Sequence, residues 1–387
     1  MLHERPRLPV GFRCASRNCG LKRQGKDLSL FVSDRDAAAA AVFTRNRFPG
    51  APVLRGRAIV RAGVLRAILV NSKVSNVGTG ARGLEDADRM AVAAGAELGV
   101  APERVLVAST GVIGVPLPIE KIEAGLRGMA AELGDDPLTG AEGMMTTDTY
   151  AKAMSIDAGA ATITIVAKGA GMIAPNMATM LSYMFTDAEL SASELDTLLR
   201  DAVRDSFNML SIDTDTSTSD MCAILANGHA GRADPGVFAG ALRALCVAMV
   251  EALARDGEGA TKLLRVRVRG ASGDAGARRV ARAVVDSPLV KTMAHGADPN
   301  VGRILMAVGK CVDVDFDPVR VHARINGVPV VRDGLHADFD DAAVRAALAG
   351  DPVEIEIEIG DGPAGATAYG CDLSEGYITE NAAYTSS

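Results

Sequence analysis

The stretch KGAGMIAPNMATML, residues 168 to 181, contains one side chain that could act as a nucleophile, Thr179. A threonine hydroxyl needs a base, and the neighbouring chain offers only Lys168 and Asp187. Cleavage between Ala178 and Thr179 would free the α-amino group of Thr179, whose ordinary pKa of about 7.7 to 8.0 suits a base. Strain in the Gly/Pro-rich loop would favour the N-to-O acyl shift that starts such a cleavage. The alternative is an ordinary threonine at the start of a buried strand.

Three other segments place polar groups beside glycine. STGVIG, residues 109 to 114, follows a predicted strand, where backbone amides could form an oxyanion hole; the alternative is a simple strand exit. In RDGEGATK, residues 255 to 262, Glu258 stands between two glycines that would let a ligand approach the backbone. SPLVKTMAHGADPNVGR, residues 287 to 303, is predicted to be a polar loop, and such loops often carry sites.

The segment GTGARG, residues 78 to 83, matches the glycine spacing of a dinucleotide-binding loop. That fingerprint needs its first glycine directly at the strand end, whereas Gly78 lies seven residues beyond Asn71, the end of the predicted strand. The spacing therefore favours a plain turn into a helix.

The segment SIDTDTSTSD, residues 211 to 220, matches only the first ligands of a calcium-binding loop. Thr218 stands where such a loop requires glycine, and Ile224 stands where it requires glutamate. We expect a turn rich in hydrogen bonds from side chains to the backbone.

The elements that must position these loops are strands and helices in alternation. A strand from Ala67, a helix and the strand of RVLVAS predict a βαβ unit, and two strand-like runs flank the loop that contains Thr179. SASELDTLLRDAVRDSF, capped by Ser191 or Ser193, and PGVFAGALRALCVAMVEALARDG predict helices that pack on a sheet. The last third predicts strands, with a hairpin turn at Asn326-Gly327, around one short helix in DDAAVRAALAG. The predicted class is mixed α and β.

Composition narrows the function further. A net charge of −7 over 387 residues, without a basic stripe, disfavours nucleic-acid binding. The six cysteines form no C-x-x-C pair and the five histidines no H-x-x-x-H pair, so no metal site is predicted. Without a signal sequence or an apolar run long enough to span a membrane, the chain is expected to be cytoplasmic, with no membrane partner.

Many segments of the chain resemble, in order, those of the ornithine acetyltransferase family, the bifunctional glutamate N-acetyltransferases of arginine biosynthesis. The resemblance covers nearly the whole chain. The matching segments are FTRNRFPGAPV, STGVIG, MTTDT, KGAGMIAPNMATML, SIDTDTSTSD, DGEGATK, SPLVKTMAHGADPN, GRILMAVGK, YGCDLS and YITENAAYTSS.

The resemblance implies an N-terminal-nucleophile-type αββα sandwich, made as a precursor that cuts itself between Ala178 and Thr179. Residues 1–178 would then form an α chain and residues 179–387 a β chain, joined in an (αβ)₂ assembly. The implied reaction is ping-pong transfer of an acetyl group from N2-acetyl-L-ornithine to L-glutamate through acetyl-Thr179. It implies no cofactor, and the residues do not decide whether acetyl-CoA is a second donor.

The resemblance also implies roles for single residues. Thr179 would be the nucleophile, and Thr110 and Gly111 would form the oxyanion hole. The implied substrate contacts are Thr146, Lys168, Thr179, Glu258, Asn381 and Ser386. Lys168 suits an α-carboxylate and Glu258 an ornithine ammonium, since a zwitterionic substrate needs both charges.

Two departures from the family pattern leave the substrate open. The family often has Gly-Asn-Ala-Asn after the strand that ends at Asn71, where this chain reads Ser72 to Asn76 and introduces Lys73, and Val301 replaces its usual tryptophan. The alternatives are a paralogous N-acyltransferase of a specialised pathway and a self-processing amidase or aminopeptidase that uses water as the acceptor. A non-enzymatic protein with an inert Thr179 is a further alternative.

Overall fold

The computed structural model describes residues 1–174 and 180–382, and these form strands and helices in alternation. The strands are β1 (Phe12–Arg17), β2 (Leu28–Phe43), β3 (Val64–Asn71), β4 (Val105–Ser109), β5 (Lys152–Ala158), β6 (Ala161–Lys168), β7 (Leu181–Glu189), β8 (Leu210–Ser211), β9 (Met221–Arg232), β10 (Leu263–Gly270), β11 (His322–Ile325), β12 (Val328–Arg332), β13 (Leu335–His336), β14 (Val353–Glu358) and β15 (Gly362–Cys371). The helices are α1 (Ala51–Ile59), α2 (Gly80–Leu98), α3 (Ile119–Leu126), α4 (Pro137–Glu142), α5 (Ala192–Asp205), α6 (Pro235–Arg255), α7 (Asp274–Val285), α8 (Pro288–His295), α9 (Gly302–Gly309), α10 (Asp341–Leu348) and α11 (Glu375–Ala382).

The described residues divide into two units, each with its own sheet. The first unit holds residues 1–169, 180–208 and 216–249, and the second holds residues 170–174, 209–215 and 250–382. These units are defined by internal contacts and differ from the predicted α and β chains, which are defined by a cleavage point outside the described residues. The division at residues 178 and 179 therefore stays a prediction.

The sheet of the first unit has the strand order β4-β3-β2-β9-β7-β6-β5, and β1 also pairs with β2. Strands β3 and β4 are parallel and α2 connects them, which confirms the predicted βαβ unit. In β3 the alternation of side chains buries Ile68 on one face, whereas Leu69 packs on the other face with Met90 and Ala94 of α2. This strand, parallel to β4 and antiparallel to β2, is therefore buried on both faces.

Strands β6 and β7 are the two predicted runs around the Gly/Pro-rich loop. They pair antiparallel from Ile163 opposite Thr186 to Lys168 opposite Leu181. Phe31 of β2 lies against Tyr183 and Phe185 of β7, with ring centroids 6.2 and 5.2 Å apart. This aromatic core fixes β7, the strand that begins two residues after Thr179.

The predicted helices of the first unit have identifiable starts. GTGARG turns into α2, which begins at Gly80, so the predicted plain turn into a helix is confirmed. Ser191 caps α5: its hydroxyl accepts the Glu194 N–H while the Glu194 carboxylate accepts the Ser191 N–H. Of the two predicted caps, Ser191 is therefore the one that the helix uses, and α5 packs against β2 of the sheet.

Helix α6 is, within residues 1–174 and 180–382, the one helix long and apolar enough to cross a membrane. The expectation that every apolar run would be too short was therefore wrong for this segment. Its Phe238, Leu242, Leu245 and Met249 are fully buried, and the core helix of a water-soluble protein passes the same test of length and composition. The test is accordingly weak evidence for a membrane span.

The sheet of the second unit has the order β13-β12-β11-β14-β10-β15-β8. Strands β11 and β12 form the predicted hairpin, with Asn326 and Gly327 at φ of 43° and 81°, the left-handed values that a two-residue turn needs. Strands β14 and β15, which the sequence places on either side of a Gly-rich turn, lie on opposite sides of β10. The mixed α and β class, with two sheets, is confirmed.

The segment 287–303, predicted to be a polar loop, is largely helical. The Ser287 hydroxyl accepts the Val290 N–H, and Pro288 occupies the first turn of α8, where a missing N–H costs nothing. Lys291 of this helix is buried, and its ammonium donates to the carbonyls of Ser211 and Cys371, at 3.2 and 2.7 Å. The loop prediction was wrong because it treated the polar residues of this segment as exposed. Lys291 is instead buried, and its ammonium donates to backbone carbonyls inside the unit.

Candidate active site

Thr110 follows β4, and the hydrogen bonds around it determine which of its groups is available to a reacting oxygen. The Thr110 N–H donates to the Asn71 carbonyl at 3.0 Å, and the Ser109 hydroxyl donates to the Asn71 side chain at 2.6 Å. Because its amide is engaged at the end of β3, Thr110 could serve a reacting oxygen only through its hydroxyl.

Gly111 requires glycine for two reasons. Its φ is 129°, and a Cβ placed there would lie 2.2 Å from the carbonyl carbon and oxygen of Lys73. The Val112 N–H donates to the same Lys73 carbonyl at 2.9 Å, so the two loops are locked together. Among the described residues no acceptor receives the Gly111 N–H. This amide and the Thr110 hydroxyl are the donors that a developing oxyanion could use.

Asp148 joins two of the predicted substrate contacts in the first unit. Its carboxylate accepts the Thr146 N–H at 3.0 Å, the Gly169 N–H at 2.6 Å and the Lys152 ammonium at 2.9 Å. Burial opposes its ionisation, but the charges of Lys168 and Lys152 outweigh burial and hold the pKa of Asp148 at about 2. The anionic Asp148 therefore fixes Thr146 and the end of β6, where Lys168 lies.

Lys22 donates to the segment that contains Thr146, and the charge of Lys73 acts on it as well. Its ammonium donates to the Met145 carbonyl at 2.7 Å. Burial lowers the pKa of Lys22, and the positive charges of Lys168 and Lys73 lower it further, against the opposing effect of Asp27 and Asp148. Lys168 and Lys73 are therefore both close enough to Lys22 for their charges to act on it, together with the two carboxylates.

Sequence reasoning missed both Asp148 and Lys22 as site residues. Asp148 lies within the quoted segment MTTDT, so the segment drew attention to the right stretch of chain. Lys22 lies in an ordinary polar stretch, CGLKRQGKD, which carries no local signal. Its relevance comes from its distance to groups more than a hundred residues away in sequence.

The second unit holds the other predicted contacts, Glu258 and Asn381. The Asn381 side-chain amide of α11 donates to the Glu258 carboxylate at 2.7 Å. The Glu258 N–H donates to the Ala170 carbonyl at 2.8 Å, and a Cβ on Gly171 would lie 2.2 Å from the Glu258 carboxylate. The structure therefore brings Glu258 and Asn381 together, and only glycine at position 171 leaves room for this carboxylate.

Asp372 anchors the loop that carries Glu258. It accepts the N–H groups of Thr261 and Lys262, at 2.7 and 2.9 Å, and contacts Nδ1 of His295 at 2.8 Å. Burial works against ionisation, but these hydrogen bonds, from Thr261 first, hold the pKa of Asp372 below its ordinary value. Three segments that the sequence analysis singled out, DGEGATK, SPLVKTMAHGADPN and YGCDLS, thus meet at one carboxylate.

The described residues contain part of the predicted set. The first unit contains Thr110, Gly111, Thr146 and Lys168, and the second contains Glu258 and Asn381. Ala178, Thr179 and Ser386 lie outside the described residues. Their roles stay predictions.

Comparisons with known proteins agree on one family. The model of the ArgJ family matches residues 13–386. The arginine biosynthesis bifunctional protein ArgJ of Rhodococcoides fascians is 43% identical over 380 residues, which cover 97% of this chain and 94% of that protein. The glutamate N-acetyltransferase Oat2 of Streptomyces clavuligerus is 43% identical over 387 residues, covering 98% of each chain.

Solved structures are similar over shorter stretches. A chain of the ArgJ protein from Bacillus halodurans shares 35% identity and covers 51% of this chain and 96% of its own length, with a TM-score of 0.49. A chain of the Mycobacterium tuberculosis ornithine acetyltransferase, solved with ornithine, shares 35% identity and covers 46% of this chain and 99% of its own length, with a TM-score of 0.43. From the family match over nearly its whole length and from relatives of this identity and coverage, it follows that the chain belongs to the ArgJ family.

Proposed function

We propose that this chain is a glutamate N-acetyltransferase of arginine biosynthesis that moves an acetyl group from N2-acetyl-L-ornithine to L-glutamate through acetyl-Thr179. Family membership and the names of the relatives support the acetyltransferase activity. The observation that carries the mechanism is the pair of donors at the end of β4. The Thr110 hydroxyl and the Gly111 N–H could both donate to an oxyanion, and Gly111 is held in a conformation that admits no side chain.

The proposed enzyme first activates itself. The Thr179 hydroxyl attacks the Ala178 carbonyl, the peptide C–N bond breaks, and the nitrogen takes the proton to become the α-amino group of Thr179. Water then hydrolyses the Ala178–Thr179 ester, which leaves a carboxylate on Ala178 and restores the hydroxyl. The products are chains 1–178 and 179–387, and the new amine is the base for the next reaction.

Acetyl transfer repeats the same chemistry on a substrate. The Thr179 hydroxyl attacks the acetyl carbonyl of N-acetyl-ornithine, and ornithine leaves with the proton from that hydroxyl. The amine of glutamate then attacks the acetyl ester, N-acetylglutamate leaves, and Thr179 regains its hydroxyl. Each half-reaction passes through a tetrahedral oxyanion that the Thr110 and Gly111 donors would stabilise.

The charged groups suit the ends of these substrates. Lys168, whose charge favours the ionised form of Asp148, would bind a carboxylate. Glu258, with Asn381 donating to one of its oxygens, would bind the ornithine ammonium. Thr146 and Ser386 would add neutral hydrogen bonds. A zwitterionic amino acid needs groups of both charges.

The proposal extends to the quaternary structure, the cellular location and the cofactor requirement of the enzyme. Two α and two β chains would form an (αβ)₂ enzyme that works in the cytoplasm without a cofactor. Whether acetyl-CoA serves as a second donor is part of the test below.

The decisive experiment compares the wild type with Thr179→Ala. On a denaturing gel the wild type should give two fragments that meet at Thr179, and Thr179→Ala should remain one chain. The cut protein should release ornithine from N-acetyl-ornithine only when glutamate is present. An uncut wild type would refute the mechanism, and ornithine release that ignores glutamate would identify a hydrolase. Acetyl-CoA replaces N-acetyl-ornithine in a parallel assay of the donor.

One observation favours a second candidate, a paralogue with another acyl or acceptor preference. The backbone of Lys73, a residue that departs from the family pattern, lies against Gly111, and its carbonyl accepts the Val112 N–H. A panel of N-acyl amino acids as donors and amino acids as acceptors separates the two functions. A strong preference for a pair other than N-acetyl-ornithine and glutamate would favour the paralogue.

A further inference from the structure

Asp213 lies in the segment SIDTDTSTSD, which the proposed function leaves without a role. Its carboxylate accepts two successive backbone amides, the Met172 N–H at 2.5 Å and the Ile173 N–H at 2.8 Å. Both belong to residues 170–174, which we name the upstream arm because this segment leads along the chain to the proposed cleavage point. All of these groups belong to the second unit.

The upstream arm is held at two further points. The Glu258 N–H donates to the Ala170 carbonyl at 2.8 Å, and the Ile212 N–H donates to the Ile173 carbonyl at 2.7 Å. Ile173 itself is buried. The arm is therefore fixed by the backbone on both sides of Met172 and by the Asp213 carboxylate at its centre.

The conformation of Met172 depends on this carboxylate. Met172 has a φ of 53°, a left-handed value that is unfavourable for a residue with a side chain. Successive amides around such a residue point the same way and form a concave site for an anion. Asp213 supplies that anion from within the chain and offsets the strain, so the strained backbone persists while the carboxylate accepts both N–H groups.

The ionisation of Asp213 is sensitive to its surroundings. Burial raises the pKa of Asp213 above its ordinary value, although the N–H groups of Ile173, Met172 and Asp215 lower it. The groups that face Asp213 are Asp215 on the same turn, Tyr377 of α11 and Cys371 at the end of β15; Glu258 faces Tyr377. Burial raises the pKa of Tyr377 to about 12, and the hydrogen bond to Asp213 raises it too.

We propose that Asp213 is a positioning residue for self-cleavage, which holds the upstream arm and thereby restricts the movement of the chain that leads to the Ala178–Thr179 bond. This inference rests on the proposed function. Ala178 lies only five residues beyond Ile173, so an arm free to move would give the Ala178 carbonyl a wider range of positions relative to the Thr179 hydroxyl. After cleavage the arm is no longer joined to Thr179. Loss of the hydrogen bonds from the arm to Asp213 should therefore slow cleavage far more than it slows acetyl transfer.

The test follows the cleavage of newly made full-length chains. The protein is labelled in a short cell-free synthesis, translation is stopped, and the two fragments are quantified over time on denaturing gels at several pH values. Asp213→Asn keeps the shape of the side chain but removes its charge and one acceptor. It should slow cleavage by about 10- to 100-fold, the range expected for losing hydrogen bonds to a charged group. Asp215→Asn, an exposed neighbour on the same turn, is the matched control and should cleave at the wild-type rate at neutral pH.

A second readout separates positioning from general stability. Wild-type cleavage should slow as the pH falls and Asp213 becomes protonated, and Asp213→Asn should lack this component of the pH profile. Because the carboxylate also stabilises the arm, the thermal unfolding midpoint of Asp213→Asn should lie a few degrees below that of Asp215→Asn, with unfolding still cooperative. Once Asp213→Asn chains are cut, acetyl transfer per cut chain should be reduced much less than the cleavage rate.

Each outcome decides the inference. A wild type that cuts, with Asp213→Asn cutting equally fast, overturns the role of Asp213 and leaves the proposed function standing. A wild type that stays uncut overturns both. If Asp213→Asn does not fold, Asp213→Glu takes its place: slower cleavage at an unchanged unfolding midpoint supports the inference, and cleavage at the wild-type rate overturns it.

Discussion

At Thr110, one backbone hydrogen bond decides which group of the residue could stabilise an oxyanion. A Thr-Gly pair after a strand suggests two backbone amides that could stabilise an oxyanion. The Thr110 amide, however, donates to the Asn71 carbonyl, so only its hydroxyl is left to join the Gly111 N–H. The side chain of Thr110 is therefore expected to matter more than its backbone.

The prediction is that Thr110→Val and Thr110→Ser behave differently. Thr110→Val keeps the shape but lacks the hydroxyl, and kcat/KM for acetyl transfer should fall about 10²- to 10³-fold, as for other single oxyanion donors. Thr110→Ser keeps the hydroxyl and should stay within about tenfold of the wild type. Steady-state kinetics on chains confirmed as cut would check this. Equal activity of the two variants would show that the hydroxyl is not a donor.

At the scale of a single element, the start of helix α5 depends on one local exchange of hydrogen bonds, between Ser191 and Glu194. Sequence inspection left Ser191 and Ser193 as alternative caps, and the structure assigns the cap to Ser191 together with Glu194. The capped helix has Leu195 and Leu199 among its buried side chains and packs on β2, the long central strand of the first sheet. Its stability should therefore contribute to that of the first unit.

Replacing each serine in turn measures how much its hydroxyl contributes to the free energy of unfolding. Ser191→Ala should lower the free energy of unfolding by about 1 kcal/mol, the usual value of an N-cap hydroxyl. Ser193→Ala removes the same atoms from the first turn and should change it by less than about 0.5 kcal/mol. Urea unfolding of both variants gives the comparison. A larger loss in Ser193→Ala would place the cap at the other serine.

At the scale of the whole molecule, buried carboxylates give the protein its dependence on pH. Asp148 and Asp372 are both held ionised below the ordinary range by the cations and N–H groups around them. A carboxyl group with a depressed pKa stabilises the folded state above the pKa it has when unfolded, near 4. That stabilisation is lost as the pH falls through the folded-state value.

For Asp148, with a folded-state pKa of about 2, the loss between neutral pH and about pH 2 should amount to roughly 2 kcal/mol. Asp148→Asn should lack this part of the acid sensitivity. At neutral pH it should itself be destabilised by about 3 to 5 kcal/mol, the usual effect of breaking a buried ion pair such as that with Lys152. Urea unfolding of wild type and variant from pH 7 down to pH 2.5 would check both statements. A wild type whose stability is as insensitive to acid as that of the variant would contradict the role given to Asp148.

The amino-acid sequence determined the local structure and most of the family assignment. Hydrophobic periodicity predicted β3, α2, β4, β6, β7 and α5, because the side chains that face the core recur at the spacing of the element itself. The collinear segments predicted the family, which the comparisons confirm. The polar segment 287–303 failed because Lys291 looks like a surface residue until its carbonyl partners are known.

Only the tertiary structure decided how the candidate groups are held. Asp148 accepts the N–H of Gly169, 21 residues away, and Lys22 donates to the carbonyl of Met145, 123 residues away. Asp213 accepts the N–H groups of Met172 and Ile173, 41 and 40 residues away. No periodicity encodes such pairs, since each depends on where separate strands and loops meet. A hydrogen bond is made or lost within a fraction of an ångström, so the partner of a polar group is a property of the folded chain and not of its local sequence.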